Sequence, residues 1–369
     1  QLRQLAMYAH AAGQPDSGLF KPDLKRHFDT VLATYKGPSD GLWIYSVDDE
    51  DKPADTTLDL YTHAFVIFAF SHYSRTTGDA SARLEAASTL QAIDRNFRKG
   101  VMKGFAESLD LAGNHLQAVR RHESHMHLLE ACLFANEVWN DAAYMRIADE
   151  IVGLFLGSFY DSADNMLSEY FTDDLRPRAD IQRHKVICEA GHYYEWIWLL
   201  KKYAHAKATP DAYDDICKRM LDWANTHGWD QKYGGIYDEL DAQGQVVQET
   251  KRLWPFTEGL KANALMLNIV ADRDAAKEHM ARMTALFRDK YIDERGFWTE
   301  WLERDLTPAV DYMPATTPYH VYFGIMETRD ILRSRGASKS WRAGPRKVLY
   351  KSRRLLSTIM RNTRRKLLK

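Results

Sequence analysis

Two kinds of hydrophobic pattern alternate along the chain. In residues 58–73, 125–138, 145–155 and 190–203 apolar side chains return every three or four positions, which predicts α-helices with a buried face. Between such stretches lie short aromatic-rich patches that begin at a glycine or turn and end in acidic residues. These read GLWIYSVDDEDKP from Gly41, KGFAESLDLAGN from Lys103, NMLSEYFTDDLRP from Asn165, GGIYDELDAQGQ from Gly234 and RGFWTEWLERDLTP from Arg295. Their starts are 62, 62, 69 and 61 residues apart, so the chain is a repeat. About 60 residues accommodate two helices of ordinary length and a hairpin-like connection.

Five marked units and one unmarked unit predict an all-α (α/α)6 toroid: six helical hairpins, inner helices lining a pocket, short β-hairpins at one mouth. The same repeat could build an open solenoid; aromatic and acidic residues recurring at the loop ends favour a ring with one shared mouth. The expected organisation is one barrel over residues 1–336 and a separate tail over 337–369.

Charge sets the tail apart. The chain carries a net charge of −1, yet residues 339–369 hold 12 Lys/Arg and no Asp or Glu, leaving the rest near −13. Leu349, Leu356 and Met360, and likewise Val348, Leu355 and Ile359, are spaced to give one apolar face on a basic helix. Such a helix suits an anionic membrane surface; a solvated tail, or one docked on the acidic body, fits the pattern equally. An acidic body without a nucleic-acid motif argues against nucleic acid as partner. Cys132, Cys188 and Cys217 are odd in number and far apart, which fits reduced thiols better than a disulfide framework. No apolar run is long enough to span a bilayer and no secretory signal opens the sequence. The expectation is a cytoplasmic protein, with peripheral contact at the inner membrane surface through the tail and a homodimer as further partner expectations.

The candidate chemistry lies in four separated motifs: HESHMHLLEA (122–131), EAGHYYEWIWLL (189–200), RLWPFTEGLKA (252–262) and TPYHVYF (317–323). Histidine exchanges protons near neutral pH at little cost. His125 and His127 sit at i and i+2, on different faces of a helix, and no HExxH or cysteine cluster accompanies them; no metal is expected. His127 and Glu130 are spaced i, i+3, as are His192 and Glu195, so each pair shares a helix face. Gly191 suits a helix start or a close approach. Trp254 and Glu258 follow the same face of a helix whose first turn accepts Pro255. A single histidine is most often structural; the repeated His-x-x-Glu spacing is what argues otherwise.

Together these motifs resemble the N-acylglucosamine 2-epimerase family, over nearly the whole body and in the family's order. The resemblance implies an (α/α)6 barrel and a cofactor-independent proton transfer next to the sugar carbonyl, through a cis-enediolate. Return of the proton to C2 gives the epimer and to C1 the ketose. The resemblance assigns His192 and His320 as the acid/base pair, His127 to ring opening or oxygen binding, and Glu195, Glu130, Glu258 and Trp254 to support or binding. Two positions depart from the pattern. Glu123-Ser124 replaces the family's Asn-Pro. Many relatives carry arginine in a Tyr-x-x-Ala-Arg pattern where this chain has Phe65, with Tyr61 and His63 just before it; His63 is expected to take part of that arginine's role. These departures suit the mannose or phosphomannose isomerase-like branch. The leading expectation is aldose–ketose isomerisation of a mannose-type sugar, ahead of N-acylglucosamine or cellobiose 2-epimerisation. A glycoside hydrolase of the same fold would need two carboxylates flanking a bond, for which Asp238, Glu239 and Glu300 are candidates; a carbohydrate-binding toroid without activity is the third class.

Overall fold

The computed structural model describes residues 1–14, 21–98, 100, 103–116 and 119–334. The predicted basic tail lies outside the described residues. Eleven α-helices are present among the described residues: α1 (Leu2–Ala12), α2 (Lys21–Thr34), α3 (Leu60–Thr77), α4 (Ala80–Asn96), α5 (Glu123–Trp139), α6 (Ala142–Leu154), α7 (Ala190–Ala206), α8 (Asp214–His227), α9 (Leu253–Met266), α10 (Arg273–Leu286) and α11 (Pro318–Ser334). The four stretches predicted from periodicity correspond to α3, α5, α6 and α7.

The helices fall into two types. Along α3, α5 and α9 nearly every position in the first three turns is buried, as expected of helices enclosed on all sides. In α4, α6, α8 and α10 a narrower stripe is buried. Aspartates start several of them: Asp59, Asp79, Asp141 and Asp272 accept backbone N–H groups at the first turns of α3, α4, α6 and α10, a cap worth about 1 kcal/mol each. α3 ends at Gly78 and α5 at Asn140, both left-handed, the conformation that closes helix C-termini. A π-helical turn extends α6 over Phe155–Phe159 and α10 over Phe287–Tyr291.

Short hairpins follow α2 and the helices of the second type. The first is closed by bridges such as Lys36↔Trp43, Trp229↔Ile236 and Ile292↔Trp298 and by Tyr160↔Leu167. The second is closed by Leu109↔His115, Phe171↔Pro177 and Leu302↔Pro308 and by Leu240↔Val246. The aromatic and acidic patches of the sequence are these hairpins. The repeating block is therefore helix, hairpin, hairpin, helix, for α2/α3, α4/α5, α6/α7, α8/α9 and α10/α11, with α1 preceding the first. Successive blocks are stitched by two-residue antiparallel ladders just before the enclosed helices: Leu58↔Leu109 and Asp59↔Ser108, Arg120↔Phe171 and Arg121↔Tyr170, Lys251↔Leu302 and Arg252↔Trp301.

The chain forms two compact units. Among the described residues, those within 1–187 and 202–210 make the first, and 188–201 and 211–334 the second; α7 contributes to both. In the first, α3 packs against α1, α4 and α5, and α5 against α6; in the second, α9 packs against α8, α10 and α11. Close approach to α11 depends on Gly324, where a Cβ would come 2.8 Å from Thr257 Cβ. One buried ion pair locks the hairpin before α9. Lys251 Nζ donates to Asp230 Oδ2 at 2.9 Å and to the carbonyls of Gly234 and Arg304, both charged side chains being at most 1% exposed.

Candidate active site

The second unit gathers five of the predicted residues, His192, Glu195, Trp254, Glu258 and His320. His320 enters from the first turn of α11, which Pro318 opens, the position where a missing N–H costs nothing. Its Nδ1 lies 3.0 Å from Glu258 Oε1 of α9 and 3.8 Å from Glu195 Oε1 of α7. A carboxylate only accepts, so Nδ1 carries the proton. His192, on α7, and His320 both lie against the indole of Trp254, with ring centroids 5.0 and 5.4 Å away. Gly191 makes that possible: a Cβ there would sit 2.5 Å from Trp254 Cη2 and 2.9 Å from Pro255 Cβ. The glycine of the EAGH motif thus admits a side chain of the same unit. His192, Glu195, Glu258 and His320 are all buried.

The atoms offered by Glu195, Glu258 and His320 lie within 4.8 Å of one another, a spacing a divalent ion could bridge. Lys261 Nζ, however, stands 2.5 Å from Glu258 Oε2 and already supplies a positive charge. Burial alone would raise the Glu258 carboxyl, but the Lys261 charge and the His320 hydrogen bond outweigh it and hold the group well below the usual carboxylate range.

At the start of α9, Arg252 is gripped by Asp238 at 2.7 Å and Glu189 at 2.7 Å. Burial opposes its charge, and the two carboxylates restore it. Asp238 also accepts the backbone N–H of Arg252 and the hydroxyl of Thr250. Glu300 accepts from Thr317 Oγ1 at 2.7 Å and Trp298 Nε1 at 3.0 Å. These acids hold polypeptide in place, which is not the arrangement of two carboxylates flanking a sugar bond.

In the first unit the predicted pair on α5 forms as spaced: His127 Nδ1 lies 3.1 Å from Glu130 Oε2, both buried. The rings of Tyr61 and Phe65, from α3, lie 4.8 and 5.0 Å from the His127 ring. Over them stands Arg3 of α1, its guanidinium carbon 5.1 Å from the Tyr61 centroid and 4.6 Å from that of Phe65. Sequence reasoning missed Arg3; the signal available was one arginine in the first turn of the otherwise uncharged run LRQLAMYAHAA.

His63 does not join this group. It is wholly buried; its Nε2 accepts the Trp43 N–H at 3.1 Å and its Nδ1 lies 2.7 Å from the Asp59 carbonyl. Burial lowers it to about 4, so it is a neutral backbone clamp, not a stand-in for an arginine. His125 repeats the device one block on, with Phe105 N–H at 3.0 Å and the Arg121 carbonyl at 3.3 Å. A second omission is the fully buried His122, 3.4 Å from Glu169. Its partner follows a rule the repeat spells out: an acid two residues after the first hairpin's closing position, at Glu107, Glu169, Asp238 and Glu300. Glu107 accepts from Arg121 N–H and Ser124 Oγ, and burial raises it to about 7.

Known proteins share the sequence pattern and the architecture. The sequence profile of the N-acylglucosamine 2-epimerase (GlcNAc 2-epimerase) family matches residues 1–324. A mannose-6-phosphate isomerase of Rhizobium meliloti (strain 1021) is 28% identical over 83% of this chain and 78% of its own length. A cellobiose 2-epimerase of Bacteroides fragilis is 23% identical over 71% of this chain and 68% of its own. Among solved structures, a D-mannose isomerase superposes with a TM-score of 0.80 at 20% identity, over 89% of this chain and 87% of that one. The fold class is accordingly the (α/α)6 class expected from the repeat. Among the described residues, no helix is long and apolar enough to cross a membrane.

Proposed function

Since this chain belongs to the N-acylglucosamine 2-epimerase family and is a sugar isomerase or 2-epimerase, we propose that it isomerises a mannose-type aldose, free or 6-phosphorylated, to the ketose through a cis-enediolate. The supporting observation is the second unit's arrangement of two buried imidazoles against one indole, with the Nδ1 of His320 fixed by Glu258. A C–H bond beside a carbonyl is a weak acid, so removing its proton needs a base in contact and donors for the developing oxyanion. His192 and His320 take these roles: one removes the C2 proton, and the other exchanges protons at the oxygens and C1. The indole offers an apolar face to the sugar ring. Glu258, with Glu195 beside it, keeps the His320 imidazole oriented.

His127, oriented by Glu130, is assigned to ring opening, and Tyr61 to substrate contact. Arg3 supplies the guanidinium that Phe65 removes from α3, since its charge stands directly over the Phe65 ring. Guanidinium binds oxygen in a fixed fork, which suits a hydroxyl or carbonyl clamp. The family's motifs carry these first-unit roles. The reaction requires no cofactor.

Proton NMR in D2O tests the reading, with mannose, glucose, fructose, mannose 6-phosphate, N-acetylmannosamine and cellobiose offered in turn. Deuterium entering C2 of the aldose and C1 of the ketose, lost in His192→Ala and His320→Ala by about 100-fold or more, is the expected result. A mannose and glucose product pair without ketose would make the enzyme an epimerase. Exchange that survives both substitutions overturns the acid/base assignment.

A further inference from the structure

Lys261 has no part in the chemistry just described, yet it is one of the most enclosed charges in the protein. It lies one turn beyond Glu258 on α9 and is 4% exposed. Its ammonium stands 3.9 Å from the centre of the Trp198 ring and 2.5 Å from Glu258 Oε2. The opposite oxygen of the same carboxylate takes the His320 contact. Cation, carboxylate and imidazole therefore form one row, with the imidazole at its end. Burying an ammonium is costly unless it is paired, and an indole face recovers part of that cost.

Resting on the acid/base reading of His320, we infer that Lys261 is a positioning residue that keeps the Glu258–His320 pair one proton short, so that His320 Nε2 is a base at neutral pH. The reasoning is electrostatic. A carboxylate beside an imidazole favours the imidazolium and would leave His320 protonated and useless as a base. A fixed positive charge on the far side of that carboxylate offsets the pull while leaving the carboxylate ionised to hold Nδ1–H. The depressed titration of Glu258 agrees with this balance. The titratable and charged groups facing the pair include Glu195 and His192 from α7, Glu258 and Lys261 from α9 and Tyr319 from α11; among these the lysine is the one placed to offset the carboxylate.

The test is the pH dependence of kcat/KM for C2 exchange in Lys261→Met, Lys261→Gln and Lys261→Arg. Met and Gln are expected to move the acid limb upward by about one unit, to lower kcat at neutral pH and to leave KM near that of the wild type. Arg, which keeps the charge, is expected to restore the limb. A folded Met or Gln variant with an unmoved acid limb overturns the inference, as does an Arg variant that behaves like Met. Should both neutral variants fail to fold, 15N NMR of the lysine Nζ groups in the unaltered protein decides. An ammonium that persists through the acid limb supports the assignment, and one that titrates within it refutes it. His320→Ala separates this idea from its premise: undiminished exchange there removes the acid/base reading, whereas lost exchange with an unmoved limb removes only the role of Lys261.

Discussion

Replacing Gly191 by alanine is a one-carbon change with two opposed effects of calculable size. The new Cβ would lie 2.5 Å from Trp254 Cη2, 2.6 Å from Cζ3 and 2.9 Å from Pro255 Cβ. Carbon atoms in contact settle at about 3.5–4.0 Å, so the indole must retreat by about 1 Å. Overpacking of this kind costs about 1–3 kcal/mol. Alanine returns up to about 1 kcal/mol as the better helix former, and less in a first turn. The net loss of stability is thus about 0–3 kcal/mol, small enough for the variant to fold. Activity is expected to suffer far more, because the displaced ring is the one against which both imidazoles rest; misplacement by about 1 Å can cost about 100-fold. Urea unfolding midpoints and C2 exchange rates, measured together, check both parts. Gly191→Ala/Trp254→Phe, with its smaller ring, is expected to regain stability over Gly191→Ala. An alanine variant of unchanged exchange rate and raised stability would show that the indole does not hold the site, and would refute the argument.

Lys251→Met is expected to destabilise the protein by about 3 kcal/mol or more, since it strands a buried Asp230, as read from denaturant midpoints. Burial works against ionised Asp230, but Lys251 and the N–H groups of Lys232 and Tyr233 hold it at about 2. Because that value is depressed, its stabilisation is complete above the ordinary value of 3.8 and is lost as pH falls from there towards 2; the methionine variant should lose this part of the acid sensitivity. His63→Ala should lower stability by about 2–4 kcal/mol by orphaning the Trp43 N–H and the Asp59 carbonyl, while the folded fraction turns over normally, checked by activity normalised to active-site titration. Arg3→Ala is expected to reduce kcat/KM by about tenfold or more with little change in melting temperature, and Arg3→Lys to recover only part of it; equal activity in all three proteins would discard the clamp.

The repeat was visible because its cause is local. Aromatic and acidic residues at fixed distances mark hairpins whose closing bridges span only six or seven residues, and buried helices keep their periodicity. Identifying histidines was harder because the same side chain serves two unrelated ends. His63 and His127 both sit on helices in aromatic company, yet one clamps backbone and the other pairs with Glu130. The His-x-x-Glu spacing marks His127, but the role of His63 depends on a distant partner, Trp43 N–H, that periodicity does not reveal. The same limit hid the partner of His320. An i, i+3 rule reaches only along one helix, while Glu258 arrives from 62 residues away. Arg3 stayed hidden for the converse reason: its neighbours Tyr61 and Phe65 come from another block.

The ladders that stitch successive blocks are made of backbone groups, and the hairpins beyond them carry exposed side chains such as Leu111 and Tyr233. Attachment and surface are thereby assigned to different atoms. Sequence drift at the hairpin tips leaves the N–H to carbonyl bonds below untouched, because every residue but proline offers the same pair. Lineages built on such blocks can therefore change the lengths and side chains of the tips without remaking the helices beneath them.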